Sequence, residues 1–208
     1  MAHGPRHAVG GSGTLESANL TGADLSGVDL FGVDLCHAHL SGATLTRADL
    51  SEADLTRSNL AGADLSAANL LRADLSEADI TGANLAGANL TQAFLINANL
   101  TQANLTGALM GKRTVLFGAR LIDARLTGAR LTGANLSGAD LSGADLADAD
   151  LTKANLADAC WNTATTWPEP DAGWITERSD RLRTGHYRIR GGPRSARDGA
   201  GSARHPAA

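Results

Sequence analysis

Apolar residues recur along this chain at a fixed interval of five. From Leu15 to Met110 every fifth residue is Leu, Ile or Met, and the position two before it is nearly always small, as in ADLSEADLTRSNLAGADL from Ala48 to Leu65. A helix would turn successive members of that series by about 140° and scatter them around its cylinder. An extended chain gathers them, because alternate residues share a side: Ala and Leu point inward and the Asp or Asn between them points out. Ser or Thr followed by Gly or a variable residue then makes a turn. Repeated, the unit A-(D/N)-L-(S/T)-(G/x) predicts a coil with Leu and Ala inside, polar groups outside, and successive turns about 4.8 Å apart.

The beat slips once. After Met110 the next central residue is Leu116, a step of six, and the five-residue phase then holds to Trp161. The end of the series makes the same step from Trp161 to Trp167, with Thr165 and Thr114 both two places before the second residue. Two readings of the break at 111–115 stand: a capping loop after which coiling resumed, or a one-residue bulge.

This regular part, about 30 units from Leu15 to Trp161, resembles the pentapeptide-repeat family. The resemblance implies an all-β, right-handed, four-sided parallel β-helix with four units per coil, hence about seven to eight coils and on the order of 36 Å of rod. The chain differs from many members in having Leu rather than Phe at the central position. Its Trp, Thr, Trp-Pro segment also resembles the closing stretch of many members, in which bulky side chains cover the open interior. Trp161, Trp167 and Trp174 are the expected cap, with Pro168 and Pro170 stopping further strand pairing. The expected organisation is an N-terminal tail over 1–13, the β-helix over 14–161, a cap with a short helix over 162–184 starting near Asp171, and a basic disordered tail over 185–208.

With four units per coil, residues 20 apart stack, or 21 apart across the break. One outward column then reads Asp34, Asp54, Asp74, Phe94, Val115, Asn135, Asn155. An acidic ladder of Asp34, Asp54 and Asp74 gives way to apolar residues, and Ile96 and Phe117 fall beside Phe94 and Val115. Such a cluster on a polar rod is a contact patch, unless the cap or tail folds over it. Arg120, Arg125 and Arg130 stand where Asp or Asn is expected, and one coil on are Asp140, Asp145 and Asp150. Three cross-coil Arg–Asp pairs are expected, with an anion-binding belt as the other reading.

Charge divides the rod. Residues 14 to 110 hold 11 acidic and three basic side chains, net −8; 111 to 135 hold one acidic and five basic, net +4; 136 to 160 return to net −4. Some members of the family, those linked to quinolone resistance, resemble duplex DNA in shape and charge and bind DNA gyrase. The first half here carries about one net charge per 3 Å against about one per 1.7 Å for DNA, and the basic stretch interrupts it. The leading expectation is a non-enzymatic protein-binding or scaffold module with a protein partner. DNA gyrase, through DNA mimicry, is the alternative. A homodimer is a further option, as is nucleic-acid contact through the basic tail, although direct nucleic-acid binding is not expected of the rod.

Candidate chemistry is sparse. Cys36, His37 and His39 are metal-ligand types, but they span a turn and no second cluster completes a tetrahedral set. No His is placed by sequence as a base for a nucleophile, and the glycines follow the repeat rather than a phosphate loop. No cofactor, metal or catalytic residue is expected. Two cysteines far apart suit a reducing compartment, no apolar run reaches a membrane span, and the first residues lack the apolar region of a signal peptide; the expected location is cytoplasmic.

Overall fold

A computed structural model describes residues 14–190. The expected tail over 1–13 and the part of the basic tail over 191–208 lie outside the described residues. Within them the five-residue unit becomes a tight turn and a single bridging residue. The N–H of Ala18 bonds the carbonyl of Leu15 at 2.9 Å, and among the turn residues between them only Ser17 has a positive φ, 57°. That is a type II turn, whose third position takes Gly or a residue that tolerates the left-handed region. Gly22 and Arg57 occupy it at φ 66° and 55°, which explains why the fifth position of the unit alternates between Gly and polar residues.

Each bridging residue pairs in parallel with the one a coil away. One column runs Thr14, Asp34, Asp54, Asp74, Phe94, Val115, Asn135, Asn155; the next runs Asn19, His39, Asn59, Asp79, Asn99, Arg120, Asp140, Cys160. Two further columns start at Asp24 and Asp29. The interval is 20 residues, and 21 wherever it crosses the insertion. Inside, Leu35 through Leu146 and the intervening Ala residues form one continuous apolar column, most of them fully buried. Removing one such leucine side chain leaves a cavity that costs about 2–5 kcal/mol.

The outward Asp or Asn is the turn's own clamp. Asp54 Oδ1 accepts the N–H of Thr56 at 2.9 Å, and Asn104 Oδ1 that of Thr106 at 3.2 Å. Asn adds what Asp lacks, a donor for the coil before it: Asn69 Nδ2 donates to Asp49 Oδ1 at 3.0 Å, Asn84 to Asp64 at 3.0 Å and Asn104 to Asn84 at 2.9 Å. Asp and Asn therefore share the position because both close the turn, while only Asn extends a side-chain ladder along the rod.

The C-terminal end is closed by a small antiparallel sheet and a helix. Strand β1 is Cys160–Asn162, helix α1 is Asp171–Glu177, and β2 (Ser179–Arg183) and β3 (His186–Ile189) form a hairpin; the sheet order is β1-β3-β2. Trp161 stacks on Tyr187 with centroids 4.5 Å apart, meets Trp167 edge-on at 6.0 Å, and donates from Nε1 to Ser179 Oγ at 2.9 Å. Trp167, Pro168 and Ile175 are buried, and Trp174 is half-buried beneath the Arg178 guanidinium, 5.4 Å from its ring centroid. This corrects two expectations. The helix stops at Glu177 instead of running toward 184, and the chain past 185 is not a tail at its start but strand β3, with Ile189 buried. The cause is the alternation in His-Tyr-Arg-Ile after a Thr-Gly turn, which turns Tyr187 and Ile189 toward the rod's open end.

Candidate interaction surface

The insertion is absorbed at Gly111, and a threonine repairs the ladder there. In regular coils the second turn residue donates to a carbonyl 19 residues on, as Glu77 N–H does to Ile96 at 2.8 Å. At Gln92 that carbonyl has been displaced. Its N–H goes instead to Thr114 Oγ1 at 3.2 Å, and the same hydroxyl donates to the carbonyl of Leu90 at 2.9 Å. At the end of the rod Thr165 does the same with Gly143 N–H at 3.2 Å and the carbonyl of Leu141 at 2.8 Å. Both threonines are buried. The break is thus a one-residue bulge that carries the same hydrogen bonds as the closing stretch.

Directly beside it the apolar residues gather. Phe94 and Val115 are bridge partners, and Phe117 receives the N–H of Asn97 on its carbonyl at 2.9 Å, which sets Phe117 one coil on from Ile96. Phe94 is 43% exposed and Phe117 50%, while Ile96 and Val115 are half-buried. The cap's β2, β3 and α1 close the far end of the rod, so no described residue covers these two rings. Sequence reasoning missed Phe31 and Leu109, which are also exposed. Leu109 was legible, since it stands at an outward position where Asp or Asn is the rule.

The acidic ladder Asp34, Asp54, Asp74 stacks as bridge partners. Each Oδ1 is taken by its own turn, from the N–H of Cys36 at 3.0 Å, Thr56 at 2.9 Å and Ser76 at 2.9 Å. The ladder is first a turn device, and the carboxylates become a surface feature only through their remaining oxygens. Elsewhere similar contacts move acidity. Hydrogen bonds from Ser26 hold the Asp24 carboxyl below its ordinary value. Burial alone raises Asp49 and Asp64, but the bonds from Ser51 and Asn69, and from Ser66 and Asn84, outweigh it and both end below the ordinary value.

Two of the three expected Arg–Asp pairs need correcting. Arg120 and Asp140, Arg125 and Asp145, Arg130 and Asp150 are bridge partners, yet neither Arg120 nor Arg125 closes an ion pair with its Asp among the described residues. Asp140 takes the N–H of Ser142 at 3.0 Å, and Asp145 and Asp150 take the hydroxyls of Thr127 and Thr132, each at 2.8 Å. The short carboxylates of Asp140 and Asp145 are held at the wall by these bonds, whereas the Arg120 and Arg125 side chains are exposed. Ion pairs form at turn corners, where both partners are long: Arg57 with Glu77 at 2.9 Å and Arg72 with Glu52 at 3.0 Å. The Arg57 guanidinium lowers the Glu77 carboxyl below its ordinary value.

Comparison with known proteins fits this geometry. No curated protein matches the chain by sequence. Among solved structures it is similar to HetL, a pentapeptide-repeat protein involved in heterocyst differentiation regulation in the cyanobacterium Nostoc sp. strain PCC 7120, at 41% identity and a TM-score of 0.63 over 70% of this chain. The chain spans 65% of the length of HetL. It is also similar to a trypsin-treated variant of QnrB1, a plasmid-mediated fluoroquinolone resistance protein, at 25% identity and a TM-score of 0.55, covering 74% of this chain and 82% of that one. The model of the pentapeptide repeats matches in eight copies over 14–36, 29–66, 58–95, 83–110 and 119–158, leaving unmatched the segment that holds the insertion. By these matches and by its stacked five-residue turns, the chain belongs to the pentapeptide-repeat family.

Proposed function

We propose that this chain is a non-enzymatic protein-binding module, built as a right-handed four-sided rod of seven to eight coils, which grips a protein partner through the Phe94, Ile96, Val115, Phe117 face. The observation that carries the reading is the exposure of Phe94 and Phe117 on adjacent coils of a wall that is otherwise mostly polar. Aromatic rings left in water are the kind of anchor that dominates protein interfaces. Similarity to HetL, a protein of differentiation regulation, fits a role exerted through contact. Two free cysteines fit a reducing, cytoplasmic setting. The test is a Phe94→Ser, Phe117→Ser double variant assayed for association with itself and with co-purifying proteins. Association lost while the circular dichroism stays β-type supports the face, and undiminished association removes it.

A second reading, modulation of DNA gyrase, is favoured by the net −8 of residues 14 to 110 and by the similarity to QnrB1. The net +4 of residues 111 to 135 opposes a continuous imitation of DNA. A gyrase supercoiling assay with and without a quinolone decides it: protection or inhibition at micromolar protein supports it, and no effect retires it.

A further inference from the structure

The insertion that Thr114 repairs also leaves a notch in the wall. A cavity of about 370 Å³ opens there, lined by Thr91, Leu109, Gly111, Lys112, Arg130 and Thr132. In a regular unit the N–H two residues after the outward position is claimed by the Asp or Asn side chain. Leu109 and Arg130 are bridge partners at successive outward positions of one column, and neither side chain offers an acceptor. Gly111 N–H and Thr132 N–H are accordingly left with no acceptor among the described residues.

The charged side chains in the lining are both cations, Lys112 and Arg130. Neither belongs to the ion pairs described above. Lys112 lies down on the next coil: a Cβ at Gly133 would come 3.0 Å from its Cγ, so the glycine makes room for the lysine stem next to Thr132. The nearest acid on the same column, Asp150, accepts the Thr132 hydroxyl at 2.8 Å.

Comparison with the matching bulge at the end of the rod shows what Gly111 does. There the corresponding residue is Asn162, whose Oδ1 takes the N–H groups of Gly143 and Ala164, both at 3.0 Å, and which pairs with His186 of β3. Gly111 has neither a side chain nor a covering strand. Its φ lies outside the left-handed region and an added Cβ would meet nothing within 4 Å. Neither backbone conformation nor packing requires glycine at 111; its effect is an open notch.

We propose that this notch binds a phosphate-type oxyanion, in the form of a small phosphate monoester. Lys112 and Arg130 balance the charge, the N–H groups of Gly111 and Thr132 meet the oxygens, and Leu109, 37% exposed, offers an apolar shelf to the esterified group. Charge-assisted bonds to an oxyanion are among the stronger polar contacts, and main-chain N–H groups are common phosphate donors. The site lies on a different column from Phe94 and stands independently of the protein-binding face.

Amide resonances followed by NMR during titration with inorganic phosphate and with phenyl phosphate, at constant ionic strength and against chloride, test it. The expected result is saturable shifts of the Gly111 and Thr132 amides, absent in chloride, with phenyl phosphate saturating at the lower concentration. Gly111→Val, which fills the notch, and Lys112→Met each raise the dissociation constant about tenfold or more, with parental circular dichroism and melting. Unsaturating shifts, equal shifts in chloride, or unchanged binding in a folded Gly111→Val or Lys112→Met variant overturn the site. Equal affinity for phosphate and its phenyl ester overturns the assignment to a monoester.

Discussion

The hydroxyl of Thr114 reaches the carbonyl of Leu90, 24 residues earlier, at 2.9 Å while holding the N–H of Gln92 at 3.2 Å. One buried side chain thus replaces the main-chain acceptor that the insertion displaced. Thr114→Val keeps the shape and strands the Gln92 N–H, an expected loss of about 1–3 kcal/mol. Thr114→Ser should retain most of the stability. Equilibrium unfolding in urea measures both, and a Val variant as stable as the parent would show that the bond contributes nothing.

The column clamps make stability depend on pH in a defined direction. Asp49 and Asp64 have folded values below the ordinary 3.8. A depressed carboxylate contributes stability that is present above the unfolded value and is lost as pH falls through the folded one. Melting temperature should therefore hold above about pH 5 and fall below about pH 4. Asp49→Asn keeps an acceptor for the Ser51 N–H but removes its proton, so the acid limb of the profile should become shallower in that variant. An unchanged limb would assign acid sensitivity to other groups.

Closure of the rod depends on β3. A chain ended at Thr184 loses the stacking of Tyr187 on Trp161 and the burial of Ile189. Burial of two such side chains contributes about 3–5 kcal/mol, so thermal melting should drop clearly against the full chain. For the same reason, a test of nucleic-acid binding by the basic tail has to cut after Arg190, leaving the cap in place.

The corner pairs are expected to matter little. Arg57 and Glu77 are both more than half exposed, and water and salt screen most of the attraction in such surface pairs. Glu77→Gln should leave the unfolding midpoint nearly unchanged at 0.15 M salt, and a loss comparable to that of Thr114→Val would contradict this ranking.

Most of the wall was legible because period five leaves little freedom. Once the family resemblance supplies four units per coil, the partners of Asp34, Phe94 and Arg120 follow by counting, and the structure pairs them with Asp54, Val115 and Asp140. The apolar cluster at Phe94 and Phe117 was read in the same way. The Asp and Asn residues were read only as an outward face. The sequence mark of the clamp is the D-x-S/T spacing, in which the carboxylate accepts the N–H two residues on. The hairpin was hidden because β2 has no buried residue to mark a period; only Tyr187 and Ile189 in β3 show the alternation.

By itself the sequence determined the repeat, the inward column of leucine and alanine and the place where the beat gains a residue, since these follow from which side of an extended chain a residue occupies; the interval of 20, or 21 across the break, needed in addition the four units per coil that the family resemblance implies. Tertiary structure decided where each polar side chain spends its hydrogen bonds. Sequence places Arg125 beside Asp145, but the carboxylate answers to the Thr127 hydroxyl 18 residues away; it places Gly111 in a slipped beat, but only the stacked coils leave an open notch there. The reason is physical: main-chain register is set by periodicity, whereas a side-chain bond depends on reach and on competing partners that neighbouring coils bring within about 3 Å.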